Sequence, residues 1–128
     1  MVRAKKPARL PTVLTHEEVR SILQHLKGVH WLAVLLLYGS GLRLLECLGL
    51  RIKDVDFGYR QIMVREGKGK KDLARKVPHA NREWAWQWFF PASRHFSDPE
   101  SGLLFRHHLH ESVIQRAVGV HKRMQRTP

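Results

Sequence analysis

From Trp31 to Tyr38 the chain carries eight apolar residues without a break, and no fold leaves such a run in water. It is too short to cross a bilayer, which takes about 20 apolar residues, so the chain must build a core around it. The run predicts a helix buried on most sides and ended by Gly39-Ser40-Gly41. Upstream, Thr15 and Glu18 have the spacing of a capping box, and Val19, Ile22, Leu23 and Leu26 repeat at helical intervals. This predicts an amphipathic helix over 15–27, stopped by Gly28. Downstream, a short helix is expected with Leu44, Leu45 and Leu48 facing the core. A chain of 128 residues has room for one such core and no more.

From Leu50 the pattern changes. Val55-Asp56-Phe57 and Gln61-Ile62-Met63-Val64 read as short strands joined by a turn at Gly58-Tyr59, and Leu73, Arg75 and Val77 as a weak third strand ending at Pro78. The expected fold class is therefore α+β, mainly helical, with a small antiparallel β-meander. Trp84, Trp86 and Trp88 fit a strand face at period two, while Trp84 and Trp88 fit a helix face at period four, so periodicity leaves their structure open. Pro91 should terminate this segment. Residues 92–106 read as loop, and a last helix is expected from His108 to about Met124, with Leu109, Val113, Ile114, Ala117 and Val118 as its apolar stripe.

Charge narrows the partners. Lys and Arg number 23 against 11 Asp and Glu, a formal +12, and such a surface attracts polyanions, nucleic acid ahead of membranes or acidic proteins. The 43% hydrophobic content excludes a wholly disordered basic tail. Residues 1–14, with Arg3, Lys5, Lys6 and Arg9 between Pro7 and Pro11, read as a basic linker or arm. The single cysteine, Cys47, excludes an intramolecular disulfide and a cysteine-only zinc site. No run long enough to span a membrane and no apolar signal core after Met1–Arg9 are present, so a cytoplasmic, nucleoid-associated protein with no membrane partner is expected.

Two constellations carry chemistry. Arg43 follows a glycine turn at a helix start, where apolar neighbours on both sides should fix its fork for a phosphate; the plainer reading is a surface arginine paired with Glu46. Lys68 stands between Gly67 and Gly69 at a hairpin tip beside Lys70, Lys71 and Asp72, placed to neutralise a phosphate or to protonate a leaving alkoxide. Its plainer reading is a solvated basic turn, and the spacing is not that of a Walker loop. His107, His108, His110 and Glu111 lack the i, i+4 spacing of a helical zinc pair, so no metal is expected there.

Taken together, Leu37-Tyr38-Gly39-Ser40-Gly41-Leu42-Arg43 and Arg65-Glu66-Gly67-Lys68-Gly69 resemble the catalytic domain of tyrosine recombinases. With Leu14-Thr15-His16-Glu17-Glu18-Val19, Arg82-Glu83-Trp84-Ala85-Trp86-Gln87-Trp88 and Arg106-His107-His108-Leu109-His110-Glu111, the sequence is most similar to the integron integrases, from about Pro11 to Val118. The resemblance implies a partial catalytic domain over 15–128 with an integron-type insertion-like segment at about 79–110. It implies that Arg43 and Lys68 hold the scissile phosphate and the leaving 5′ oxygen while a tyrosine attacks, with no metal or other cofactor, and that Glu46 orients the arginine. It further implies that Trp86, Pro99, His107 and His108 receive extrahelical bases of folded single-stranded sites, alongside phosphate contacts from Lys70 and Lys71. Self-association or partner integrase subunits are the other associations it suggests.

The family's nucleophilic tyrosine and its His-x-x-Arg pair have no match in these 128 residues, since Tyr38 and Tyr59 stand in other contexts. Past Asp72 the chain passes straight into the tryptophan-rich segment, shorter than the family pattern. The expectation is a DNA-binding, integrase-like chain that does not complete cleavage by itself. The alternatives are a small basic nucleic-acid-binding or assembly module with vestigial recombinase motifs, and an interaction domain whose tryptophans form an interface.

Overall fold

The computed structural model describes residues 13–64, 83–102 and 104–125. Three helices open it: α1 (His16–His25), α2 (Gly28–Ser40) and α3 (Leu44–Leu48). The capping box forms as the sequence predicts, Glu18 N donating to Thr15 Oγ1 at 3.2 Å and Thr15 N to Glu18 Oε2 at 2.8 Å. The helix stops earlier than expected, at Leu26 in extended conformation, and Gly28 starts the next helix with φ +58° instead of ending the first. Gly41 closes α2 in the left-handed region at φ +66°, its N–H returning to the Leu37 carbonyl at 3.1 Å.

The expectation that α2 is buried on most sides is corrected. Only Ala33 is fully enclosed, while Val29, Trp31, Leu35 and Tyr38 lie exposed. A core this small covers one side of the helix, and the apolar run continues around the side left uncovered. In α3 the core residues are Cys47 and Leu48, whereas Leu45, predicted inward, is 61% exposed. One five-residue turn presents a single inward edge, and Cys47 occupies it.

A 3-10 turn at Ile52–Asp54 leads into β1 (Val55–Asp56) and β2 (Gln61–Ile62), an antiparallel pair with Val55 opposite Ile62. The turn between them uses Arg60 at φ +53° and the Asp56 carboxylate, which accepts from Tyr59 N at 2.9 Å. The predicted third strand of the meander, Leu73–Val77, lies outside the described residues.

The segment read as loop over 92–106 is a β-hairpin: β3 (Pro91–Ser97) pairs antiparallel with β4 (Leu104–His108), Phe96 opposite Phe105 and His95 opposite Arg106. Pro91 begins the strand, a position where its missing N–H costs no ladder bond. Both faces of this hairpin are largely exposed, so its sequence shows no alternation for periodicity to detect. The last helix, α4 (Glu111–Gln125), starts three residues later than predicted. Leu109 instead donates its N–H to the Phe90 carbonyl at 2.7 Å, closing the base of the hairpin.

Ala33, Cys47, Leu48, Phe90 and Ile114 form the core, and Leu37, Leu42, Phe89 and Val118 pack against it. Three helices and the first residues after the tryptophan segment thus meet at one point. The architecture is α+β and mainly helical, with two small antiparallel sheets.

Candidate functional site

Arg43 caps α3, and its environment follows from the glycine turn before it. Its backbone N–H donates to Glu46 Oε2 at 2.8 Å, and its guanidinium stands 3.8 Å from Glu46 Oε1. The side chain is 88% exposed. Apolar neighbours do not fix the arginine, as the sequence suggested they would: Leu42 and Leu44 turn toward the core and Arg43 turns away from it. Glu46 therefore fixes the backbone at the root of the side chain and leaves the fork to water. A guanidinium so placed can take a phosphate in two-pronged fashion with little desolvation beforehand. Lys68, Lys70 and Lys71 lie outside the described residues.

The tryptophan segment is a 3-10 turn at Trp84–Trp86, stitched to the chain after α3. Ile52 N donates to the Gln87 carbonyl at 3.0 Å and Phe89 N to the Leu50 carbonyl at 2.9 Å, with Arg51 and Trp88 bridged between. This seam brings cations onto the rings. The Arg51 guanidinium lies 4.0 Å from the Trp88 centroid and 5.8 Å from that of Trp86, and it donates to the Trp86 carbonyl. The Lys53 ammonium lies over the Trp86 ring. Trp86 is thus half-buried within a cation–aromatic cluster, whereas Trp84, on the same turn, is 74% exposed.

His107 and His108 sit next to one another on β4, so their rings go to opposite faces. His108 meets Trp88 edge-on at 5.3 Å, and the Trp88 indole donates to the Arg106 carbonyl at 2.8 Å. His107 meets Phe96 at 5.7 Å. Phe96, Phe105 and His107 therefore form an exposed aromatic face that sequence reasoning missed, since a segment read as loop assigns no face to any residue. Pro99 lies in the turn at the hairpin tip. There Asp98 accepts from Ser101 Oγ at 2.6 Å and from Glu100 N at 3.3 Å, bonds that hold its carboxyl below the usual range.

The remaining reactive groups have local roles. The Tyr38 hydroxyl is hydrogen-bonded to His16 Nδ1, and Tyr59 occupies the exposed β1–β2 turn. His110 Nδ1 accepts from Ser112 N at 3.2 Å, capping α4. Cys47 is fully enclosed, and burial pushes its thiol up to about 11. Among the described residues no three His, Cys, Asp or Glu side chains converge as a metal site, and no helix is long and apolar enough to cross a membrane.

Comparison with known proteins adds three findings. The profile of the phage integrase family matches residues 12–127. The chain is 37% identical to proteins named integrase/recombinase from Escherichia coli and Pseudomonas aeruginosa, over an alignment of 155 residues that covers 90% of this chain and 46% of each relative. It is 48% identical over 77 residues to the tyrosine recombinase XerA of Thermococcus onnurineus, covering 58% of this chain and 27% of that protein. The chain spans less than half the length of these relatives. The 155-residue match is also longer than the chain itself, so the relatives carry residues inside the matched span that have no counterpart here.

Proposed function

The chain belongs to the phage integrase family of tyrosine recombinases, and on that premise we propose that it binds DNA and supplies the phosphate-holding part of a centre for site-specific recombination. The observation that carries this reading is Arg43, a guanidinium 88% exposed on a backbone anchored by Glu46, at the glycine turn that the resemblance assigns to the catalytic arginine. In this role Arg43 takes two non-bridging oxygens of the scissile phosphate and stabilises the charge that develops on them. Lys68 neutralises the same phosphate and gives a proton to the departing 5′ oxygen. Attack falls to a tyrosine other than Tyr38 and Tyr59, one bonded to His16 and the other out on a turn, so the proposed contribution of these residues is binding and orientation of the phosphate.

We further propose integron-type recognition of folded single-stranded sites. The exposed rings of Phe96, Phe105 and His107 support it, as does the exposed ring of Trp84, because an unstacked base offers a π face to such surfaces. Trp86, with Lys53 over its ring, would take part through the cation–aromatic cluster.

Fluorescence anisotropy on a labelled duplex and a labelled folded single strand, in rising salt, tests the reading. Log affinity should fall linearly with log salt, and Arg43→Ala should weaken binding to all sequences alike while flattening the slope by about one unit or less. A folded sample that binds neither DNA at low salt would overturn it.

A further inference from the structure

We propose that His25 and His121 form a two-histidine site for a borderline divalent cation such as zinc, nickel or copper(II), clamping the end of α1 to α4. Their rings meet between the two helices, centroids 5.3 Å apart and planes inclined by 34°. Two imidazoles that share one cation at bonds of about 2.1 Å and a tetrahedral angle place their centroids about 5.2 Å apart, the separation these two rings already have.

The state of His25 is set by its neighbour. Its Nδ1 lies 2.7 Å from the Ser21 carbonyl, and a carbonyl can only accept, so Nδ1 carries the proton. In the neutral ring this leaves Nε2 with its lone pair free. A ring nitrogen bonded to a backbone carbonyl, with the other nitrogen unprotonated, is the arrangement that orients histidines for metals. His25 is exposed at the last turn of α1, and His121 is half-buried on α4, so the ion has a route in and solvent to complete its shell.

The donor set also decides the ion. No third His, Cys, Asp or Glu joins the pair among the described residues, so the site offers two imidazole nitrogens and leaves the other positions to water. Magnesium and calcium, which require oxygen donors, are excluded by this chemistry, whereas imidazole suits zinc, nickel and copper(II). The pair shares no residue with the Arg43–Glu46 pairing or with the tryptophan cluster. An ion that binds only the folded chain would stabilise the docking of α4.

The test is thermal unfolding of the 128-residue protein with zinc, nickel or magnesium chloride, together with copper(II) electron paramagnetic resonance. Zinc and nickel should raise the melting temperature with one-to-one stoichiometry and magnesium should not. His25→Gln and His121→Gln, both helix-compatible, should each weaken binding by roughly tenfold or more, while His107→Gln should leave it unchanged. The copper spectrum of the unmodified protein should show splitting from two nitrogens. A metal-induced shift that survives in the doubly substituted protein, or a copper spectrum with oxygen ligands alone, would overturn the proposal; the spectrum decides even if a variant fails to fold.

Discussion

Glu46 binds Arg43 at two points of unequal strength, the backbone N–H at 2.8 Å and the guanidinium at 3.8 Å. The short contact caps a helix and the long one is an exposed ion pair, so the two residues should respond differently to substitution. Glu46→Ala should lower stability by about 1 kcal/mol in urea titrations through the lost cap. Arg43→Ala, which keeps the N–H, should leave the urea midpoint almost unmoved and act on DNA binding alone. Equal losses of stability would mean that the guanidinium, not the backbone, holds the turn.

Neither tyrosine should form a covalent bond to DNA. Incubation of the 128-residue protein with recombination-site DNA, followed by denaturing electrophoresis, should show no shifted protein–DNA species. A shifted band that disappears in Tyr38→Phe or Tyr59→Phe would assign the attack to this chain.

Cys47 predicts an alkaline limit to stability. Its thiol is raised from 9.0 to about 11 by burial, so between these values the unfolded chain has lost a proton that the folded chain retains. The stabilisation is fully present below pH 9.0 and is lost as pH rises through about 11, with a slope of at most about 1.4 kcal/mol per pH unit. Cys47→Ala should flatten this dependence, and a thiol reagent should modify the protein only as fast as it opens.

Stacking and charge should separate in binding assays. If the aromatic face of Phe96, Phe105 and His107 receives an unpaired base, a bulged DNA hairpin should bind more tightly than its fully paired counterpart. Phe96→Ala should then remove about 1 to 3 kcal/mol of that preference without changing the salt slope. Equal affinity for the two hairpins in a folded sample would leave these rings without a role in recognition.

Phe90 should be among the costliest positions in the chain. It is 1% exposed, touches Phe89 edge-on at 5.1 Å and joins the segment after the tryptophans to α3 and α4. Phe90→Ala should cost about 3 to 5 kcal/mol, measurable as a shift in urea midpoint.

What the sequence disclosed was mostly local. The Thr15–Glu18 box and the Gly41 turn depend on residues within four positions of one another, and both appear where their spacing puts them. The Arg43–Glu46 pairing is legible for the same reason. The hairpin over Pro91–His108 was not, because two exposed faces give no alternation, and Leu45 could not be told from Cys47 without knowing which edge of a five-residue helix the core would cover. Arg51 meets the Trp86 carbonyl across 35 positions, a contact that no periodicity announces. It changes how the tryptophans read, since they hold cations as well as presenting rings.

Among the described residues, the β3–β4 hairpin is anchored at its root, where Leu109 N meets the Phe90 carbonyl and the Trp88 indole meets the Arg106 carbonyl. Toward Asp98 and Gly102 it is a cantilever whose described residues are largely exposed. Deuterium should therefore enter it in a gradient, fastest at the free end and slowest at the clamp, because opening the far rungs leaves the core bonds intact. Such a projection can change its tip residues across homologous proteins with little effect on the body that carries it, and a binding preference residing there would diverge faster than the fold.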